Sequence, residues 1–490
     1  MLKRRLTIGV LAVLAGGVLL SCGSSSSTST SNTGTLFTFI GDTPMCDILS
    51  TRMTVSGLTV SQQGGGGASA IISSSSSLRL NLGDLRDSST VLGLTNPPAG
   101  TYTQGTFSLS LLQLGVYNPL VSPPTTTVTA KLSTSSPTFT LDPPLTITVG
   151  KVSALQIDFD TSRSVLLSQT SGGGFNATAQ PVFTGTVLTA DPVTGFGEWD
   201  DLTGFVRTVN PSSTNPTFIG GFLMQFLSGS LPAGPAVTVS YTSNTVMYGA
   251  PALNQLLTGS FVDVDAYLDP NGNLIAKTVE VEDQEDVADD KTALIGLVTA
   301  LTQDANNNLT GFNLWVREED PDASSGIAID SIVNVNVSPA TAYQFSSRSV
   351  NFANLTFDST ALAVGQEVVV HGPFHVQTGQ PVSVAADKVY LKLQALQGSS
   401  GALLQVGSDN KTGAFQLNPC CTLLQSSAIY VLTNNETSFL NMAGLSDLST
   451  QASLIVRGLP FFQPRGGTIL GVSVPPGTLV VLAKQVHRLQ

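Results

Sequence analysis

From Leu36 onward the chain is a succession of short runs in which apolar and polar residues alternate, broken by Gly, Pro, Asn or Ser. A period of two sends successive side chains to opposite faces of an extended backbone, so these runs predict strands rather than helices. In the first third of the chain they fall at 36–40, 52–60, 77–82, 101–112, 125–132, 138–141 and 152–159. Seven strands in one stretch predict a β-sandwich over 36–188.

After Asp200 a second pattern occurs three times. Each copy opens on a glycine followed by apolar residues: Gly204-Phe205-Val206, Gly296-Leu297-Val298 and Gly401-Ala402-Leu403-Leu404. An alternating strand then runs into a threonine, Thr245, Thr341 and Thr437, spaced 96 residues apart both times. A leucine-rich turn ends on Gly259 and Gly365 in the first two copies, whereas the third, with Leu445-Ser446-Asp447-Leu448, lacks the expected glycine. Closing strands follow at 275–281, 384–391 and 480–486. The copies cover 200–283, 291–393 and 396–490, and five or six strands in so short a unit predict a small barrel, which closes on itself and leaves no open sheet edge. The expected fold class is all-β, a sandwich followed by three tandem barrels.

Composition supports strands over helix bundles. Of 490 residues only 11% are charged, far below the roughly 25% of ordinary globular proteins, so the surface must be built from Ser, Thr, Asn, Gln and Gly. The net charge of −12 disfavours the dense cationic surface that nucleic acid requires, and no nucleic-acid partner is expected. The copies hold few cations and the two tryptophans, Trp199 and Trp315, are isolated, whereas a base-stacking face interleaves aromatics with Lys and Arg.

The N-terminus differs in kind. Lys3, Arg4 and Arg5 precede an uncharged stretch, 6–20, too short to cross a bilayer about 30 Å thick, and the pattern is that of a secretion signal. It ends Leu19-Leu20-Ser21-Cys22, which resembles the lipobox of bacterial lipoproteins. That resemblance implies removal of 1–21, a diacylglycerol on the Cys22 thiol, and an acylated new amino terminus. Membrane lipid is then a partner, because two or three acyl chains at about 0.8 kcal/mol per buried methylene hold a protein without a transmembrane helix. Residues 22–35, rich in Ser, Thr, Gly and Asn, form a flexible tether. Gly23 stands where inner-membrane retention in enterobacteria uses Asp, so the resemblance implies an envelope site at the outer membrane. Loss of the three cations takes the mature charge from −12 to −15.

Two further resemblances cover the body. Gly41-Asp42-Thr43-Pro44, Pro98-Ala99-Gly100-Thr101-Tyr102, Gln156-Ile157-Asp158-Phe159-Asp160 and Ala179-Gln180-Pro181-Val182-Phe183 resemble an uncharacterised domain family of bacterial and archaeal lipoproteins. It implies an immunoglobulin-like or prealbumin-like sandwich. The three copies resemble an uncharacterised all-β family of secreted bacterial proteins, which implies an oligonucleotide-binding-like barrel, a topology that carries no function by itself.

Candidate chemistry is sparse. His371-Gly372-Pro373-Phe374-His375 is the one close histidine pair, and its Gly-Pro interruption predicts a turn with two exposed imidazoles rather than a metal motif. Acids cluster at Glu280, Glu282, Asp283, Glu285, Asp286, Asp289 and Asp290; the first five are a weak Ca²⁺ candidate, against the plainer reading of a solvated linker. Asp269-Pro270-Asn271-Gly272-Asn273 looks like half a calcium loop but reads better as a hairpin turn. Cys46, Cys420 and Cys421 remain after lipidation; Cys420 and Cys421 either form a vicinal disulfide or stay reduced. No cofactor is implied. The expected function is a non-catalytic, lipid-anchored envelope protein, a structural spacer or adhesive surface for an unknown envelope protein or polysaccharide. The alternative is a carbohydrate- or other ligand-binding lipoprotein; a hydrolase would need a nucleophile and base that the sequence does not identify.

Overall fold

The computed structural model describes residues 32–489 except 44, 74–76, 86–87, 123, 211, 214, 227–233, 249–254, 284–290, 320–326, 346–355, 376–381, 425 and 427. The regular secondary structure of the described residues is almost entirely strand. In the first body, Thr35–Thr43, Ser89–Thr95, Val152–Asp160 and Phe183–Leu188 make one layer, and Ile48–Gln62, Gly100–Tyr117 and Thr125–Leu132 the other; Thr138–Ile147 pairs into both. Leu36, Ile157 and Phe159 from one layer meet Val55, Phe107 and Leu112 from the other in a single core. All seven predicted strands are present; the pattern missed five, Ala68–Ile72, Val165–Gln169 and three more that share a cause. Ser89–Thr95, Phe175–Ala179 and Phe183–Leu188 bury Ser89, Gly93, Ala177, Ala179 and Gly185 at positions where alternation predicts a large apolar side chain.

Each later body is a closed five-stranded barrel. In the first, Gly197–Asn210, Gly220–Phe226, Ala236–Tyr241, Phe261–Leu268 and Leu274–Asp283 pair so that the third strand lies parallel to the fifth and the fourth returns antiparallel to the first. The second repeats this with Lys291–Gln303, Leu309–Glu319, Ile332–Asn336, Glu367–His375 and a last strand split into Ser383–Ala385 and Lys388–Leu391. The third uses Gln394–Val406, Gly413–Pro419, Ile429–Thr433, Ser453–Gln463 and Thr478–Arg488.

The repeated threonine has one job in all three. The hydroxyls of Thr245, Thr341 and Thr437 accept from the backbone N–H groups of Thr242, Ser338 and Asn434, and donate to the carbonyls of Ala276, Ala386 and Ala483 at 2.7, 2.8 and 2.8 Å. Each pins the loop after the third strand to the last strand, satisfying backbone groups that would otherwise be buried without partners.

Two details of the third copy differ from the sequence expectation. The glycine equivalent to Gly204 and Gly296 is Gly398, not Gly401: all three sit opposite both neighbouring strands, where a Cβ would lie 2.8, 2.2 and 2.3 Å from the carbonyl oxygens of Gln225, Trp315 and Asn418. Register shifts on either side of Leu403 displace the apparent motif. The missing turn glycine is replaced by Gln451, at φ 67°, whose N–H donates to the Ser400 carbonyl as those of Gly259 and Gly365 do to Val206 and Val298.

The bodies are folded back on one another. Trp199 of the first barrel stacks on Phe39 of the sandwich with centroids 3.8 Å apart, and Trp315 of the second packs with Leu49 and Tyr117. Both tryptophans are therefore interface anchors, although in the sequence they look isolated. Between the second and third barrels, Gln366 donates to the Pro460 carbonyl (2.9 Å) and Phe345 meets Phe461 edge to face.

Candidate functional site

Where the sandwich and the three barrels meet, the chain forms a partly open cavity of about 110 Å³. Its polar wall comes from charges set singly into apolar strands. Arg317, near the end of Leu309–Glu319, is buried; its Nε and Nη2 donate to the Leu49 carbonyl at 3.0 and 2.9 Å, and its Nη1 pairs with Glu367 at 2.8 Å. One guanidinium thus clamps the second barrel onto the backbone of the sandwich. Lys392, just past the last strand of that barrel, pairs with Asp263 of the first, whose other oxygen accepts from the Thr203 hydroxyl at 2.6 Å. Arg457 of the third barrel pairs with Asp201 of the first. Beside it Lys484 lies 3.2 Å from Asp200 and 3.4 Å from Asp265. The first barrel supplies acids and the other two supply cations. Desolvation offsets most of the attraction of such buried pairs, so they fix how the bodies dock more than how tightly they hold.

A covalent link reinforces the junction: Cys46 of the sandwich is bonded to Cys420 of the third barrel across a sequence separation of 374. This corrects the expected choice between a Cys420–Cys421 disulfide and two reduced thiols. Cys421 retains its thiol, and the true partner lies too far along the chain for spacing to reveal it. Next to the bond, Asp47 accepts from the Thr422 N–H at 2.6 Å and its hydroxyl at 2.9 Å. On the sandwich–second barrel face, Arg52 Nε lies 2.5 Å from Asp330. Burial raises the Asp330 carboxyl above its ordinary value, opposed by Ser50, Arg52, Arg317 and Trp315 around it.

The residues singled out by sequence fall elsewhere. Cys22 lies outside the described residues, as do Glu285, Asp286, Asp289, Asp290 and the side chains of Glu282 and Asp283. Glu280 is buried, in register opposite Asp263, and so does not belong to a solvated linker. Among the described residues, no three of His, Cys, Asp and Glu converge as a metal-ligand set. Asp269 accepts from the N–H groups of Asn271 and Asn273 and from the Asn273 amide, so its loop is the expected hairpin turn. Asp304 repeats the arrangement with Asn306 and Asn308, and hydrogen bonds, that of the Asn308 side chain foremost, hold its carboxyl below the usual range. The histidine pair is not a turn. His371 and His375 lie within strand Glu367–His375, which continues through Gly372 and Pro373 because both pair with the first strand of the barrel, at Thr292 and Lys291. Four residues along a strand separate them by roughly 13 Å, too far to share an ion. His487 meets the Asn441 amide at 3.2 Å.

Sequence reasoning missed Asp201, Asp263, Arg317, Glu367, Lys392 and Arg457. The available signal was a lone charge inside an apolar run, as in Leu314-Trp315-Val316-Arg317 or Leu454-Ile455-Val456-Arg457, in a chain that uses few charges at all.

Residues 33–176 match a family described as a domain of unknown function (DUF4382), and residues 235–280, in the first barrel, match a second domain of unknown function (DUF5666). No curated protein matches the chain.

Proposed function

We propose that the protein is a non-catalytic lipoprotein of the bacterial cell envelope, anchored through Cys22 at the outer membrane. Its four β bodies act as one stiff block that spaces, or presents a surface to, an envelope protein or polysaccharide. The Cys46–Cys420 bond is the observation that carries this reading. Disulfides persist in exported proteins and are rare in the reducing cytosol, so the bond supports passage out of the cell interior. It also makes the two ends of the folded region a single unit, which suits a spacer better than a string of loose beads. The test is membrane fractionation of wild type against Cys22→Ala. Wild type is expected in the membrane fraction and the variant in the soluble envelope fraction; equal partition refutes the anchor. Saturable turnover of an envelope polymer, abolished by a point substitution, refutes the non-catalytic part.

A further inference from the structure

We propose that the junction cavity is a binding site for a small uncharged polyhydroxy compound, a short polyol of about three or four carbons. This gives the ligand-binding alternative a location and does not depend on the lipid anchor. At about 110 Å³ the cavity is far larger than the roughly 10–15 Å³ that one water needs, and it admits a molecule of about eight heavy atoms. It lies between domains, where small-molecule sites concentrate.

The lining selects the chemistry. Three cations, Arg317, Lys392 and Arg457, face the pocket, and each is engaged by a carboxylate, Glu367, Asp263 and Asp201. An ionic ligand would bring a further charge out of water among pairs that are already neutralised, a cost that a neutral one avoids. Two lining groups keep unused hydrogen-bonding capacity within the protein: the buried Arg457 Nε–H has no acceptor, and Gln397 Oε1 has no donor. They belong to adjacent strands. Ala395 pairs directly with Arg457, and Gln397 is two residues on along the same face, which sets the two side chains diagonally, about 7–8 Å apart. A compound that both donates and accepts, as each hydroxyl does, satisfies the pair at once. The remaining wall includes Leu49, Ile295, Leu297 and Leu396, which suits the C–H faces of a polyol. None of the lining side chains is aromatic, so the pocket lacks a platform for stacking a planar base or ring.

The full-length protein in mild detergent should be titrated calorimetrically with glycerol, erythritol, arabinose and glucose, and with inorganic phosphate and acetate as charged probes. Glycerol or erythritol is expected to bind saturably and the charged probes not to bind. Gln397→Leu and Arg457→Lys, the latter keeping the cation facing Asp201, should each weaken binding at least tenfold, about 1.4 kcal/mol. Thermal melts establish that both variants remain folded. If either unfolds, a crystal structure of wild type with the tightest probe decides instead, and density for that probe against Gln397 and Arg457 supports the proposal. Binding of the charged probes alone, no binding by any probe, unaltered affinity in both folded variants, or only water in the cavity of such a crystal would each overturn it. The Cys22→Ala protein must bind equally well, so failure of the anchor and failure of the site are distinguishable.

Discussion

Inside the third barrel, Phe415, Val431, Val456 and Val481 pack into a core cluster without a charge among its members. At the junction a few strands away, Arg317, Lys392, Arg457 and Asp263 are about as thoroughly buried, yet carry charge and point at neighbouring bodies. The first region needs only apolar side chains of suitable volume at every second position, a loose requirement that many sequences meet. The second needs particular partners from distant parts of the chain, so it selects one arrangement of four bodies from the many that apolar contact would tolerate. Folding of each body and docking of the bodies are thus governed by different chemistry in the same molecule.

The comparison breaks most visibly at its covalent point. Cys46→Ser is expected to lower the unfolding free energy by about 5 kcal/mol, near the top of the range for a disulfide because the loop it closes is so long. The readout is the denaturant midpoint of the oxidised protein; far-ultraviolet circular dichroism should stay native, since the barrel cores are intact. Next comes Lys392→Met, which leaves the Asp263 carboxylate buried without its cation and should cost about 3–5 kcal/mol. Combining it with Asp263→Leu should recover most of that loss; a double variant as weak as the single one would show that the pair sets how tightly the bodies hold rather than only how they dock. Within a barrel, Thr437→Val removes the hydroxyl that joins the Asn434 N–H to the Ala483 carbonyl, for an expected loss of about 1–3 kcal/mol, and Thr341→Val should match it.

The smallest effect is one of pH. Because burial raises the Asp330 carboxyl, the folded state holds that proton more tightly than the unfolded chain does. Its contribution to stability is therefore fullest in acid and declines as pH rises from the ordinary 3.8 through the raised value. Asp330→Asn, which tolerates the same positive φ of 63°, should abolish that decline when urea midpoints are compared across the mildly acidic range.

What could be read from sequence follows the same division. The sandwich strands and the repeating barrel unit were legible because alternation and the threonine spacing are local or periodic signals. The junction was not. Cys46 and Cys420, Asp201 and Arg457, or Leu49 and Arg317 are related only by the final packing, and no spacing rule spans such separations. Trp199 and Trp315 show the gap most clearly: no pattern in the sequence ties either to the sandwich, yet they hold two bodies against a third. The lipidation proposed at Cys22 rests on the sequence alone, since that residue lies outside the described ones.

The bridge from Cys46 to Cys420 has a mechanical corollary. A pull exerted between the N-terminal segment and the C-terminus is carried by the sulfur–sulfur bond, bypassing everything threaded between. The first and second barrels then bear no tension, and only the short lengths of chain outside the shunt can be stretched. In single-molecule pulling, the reduced protein should pay out the contour of the enclosed barrels, while the oxidised protein keeps it hidden.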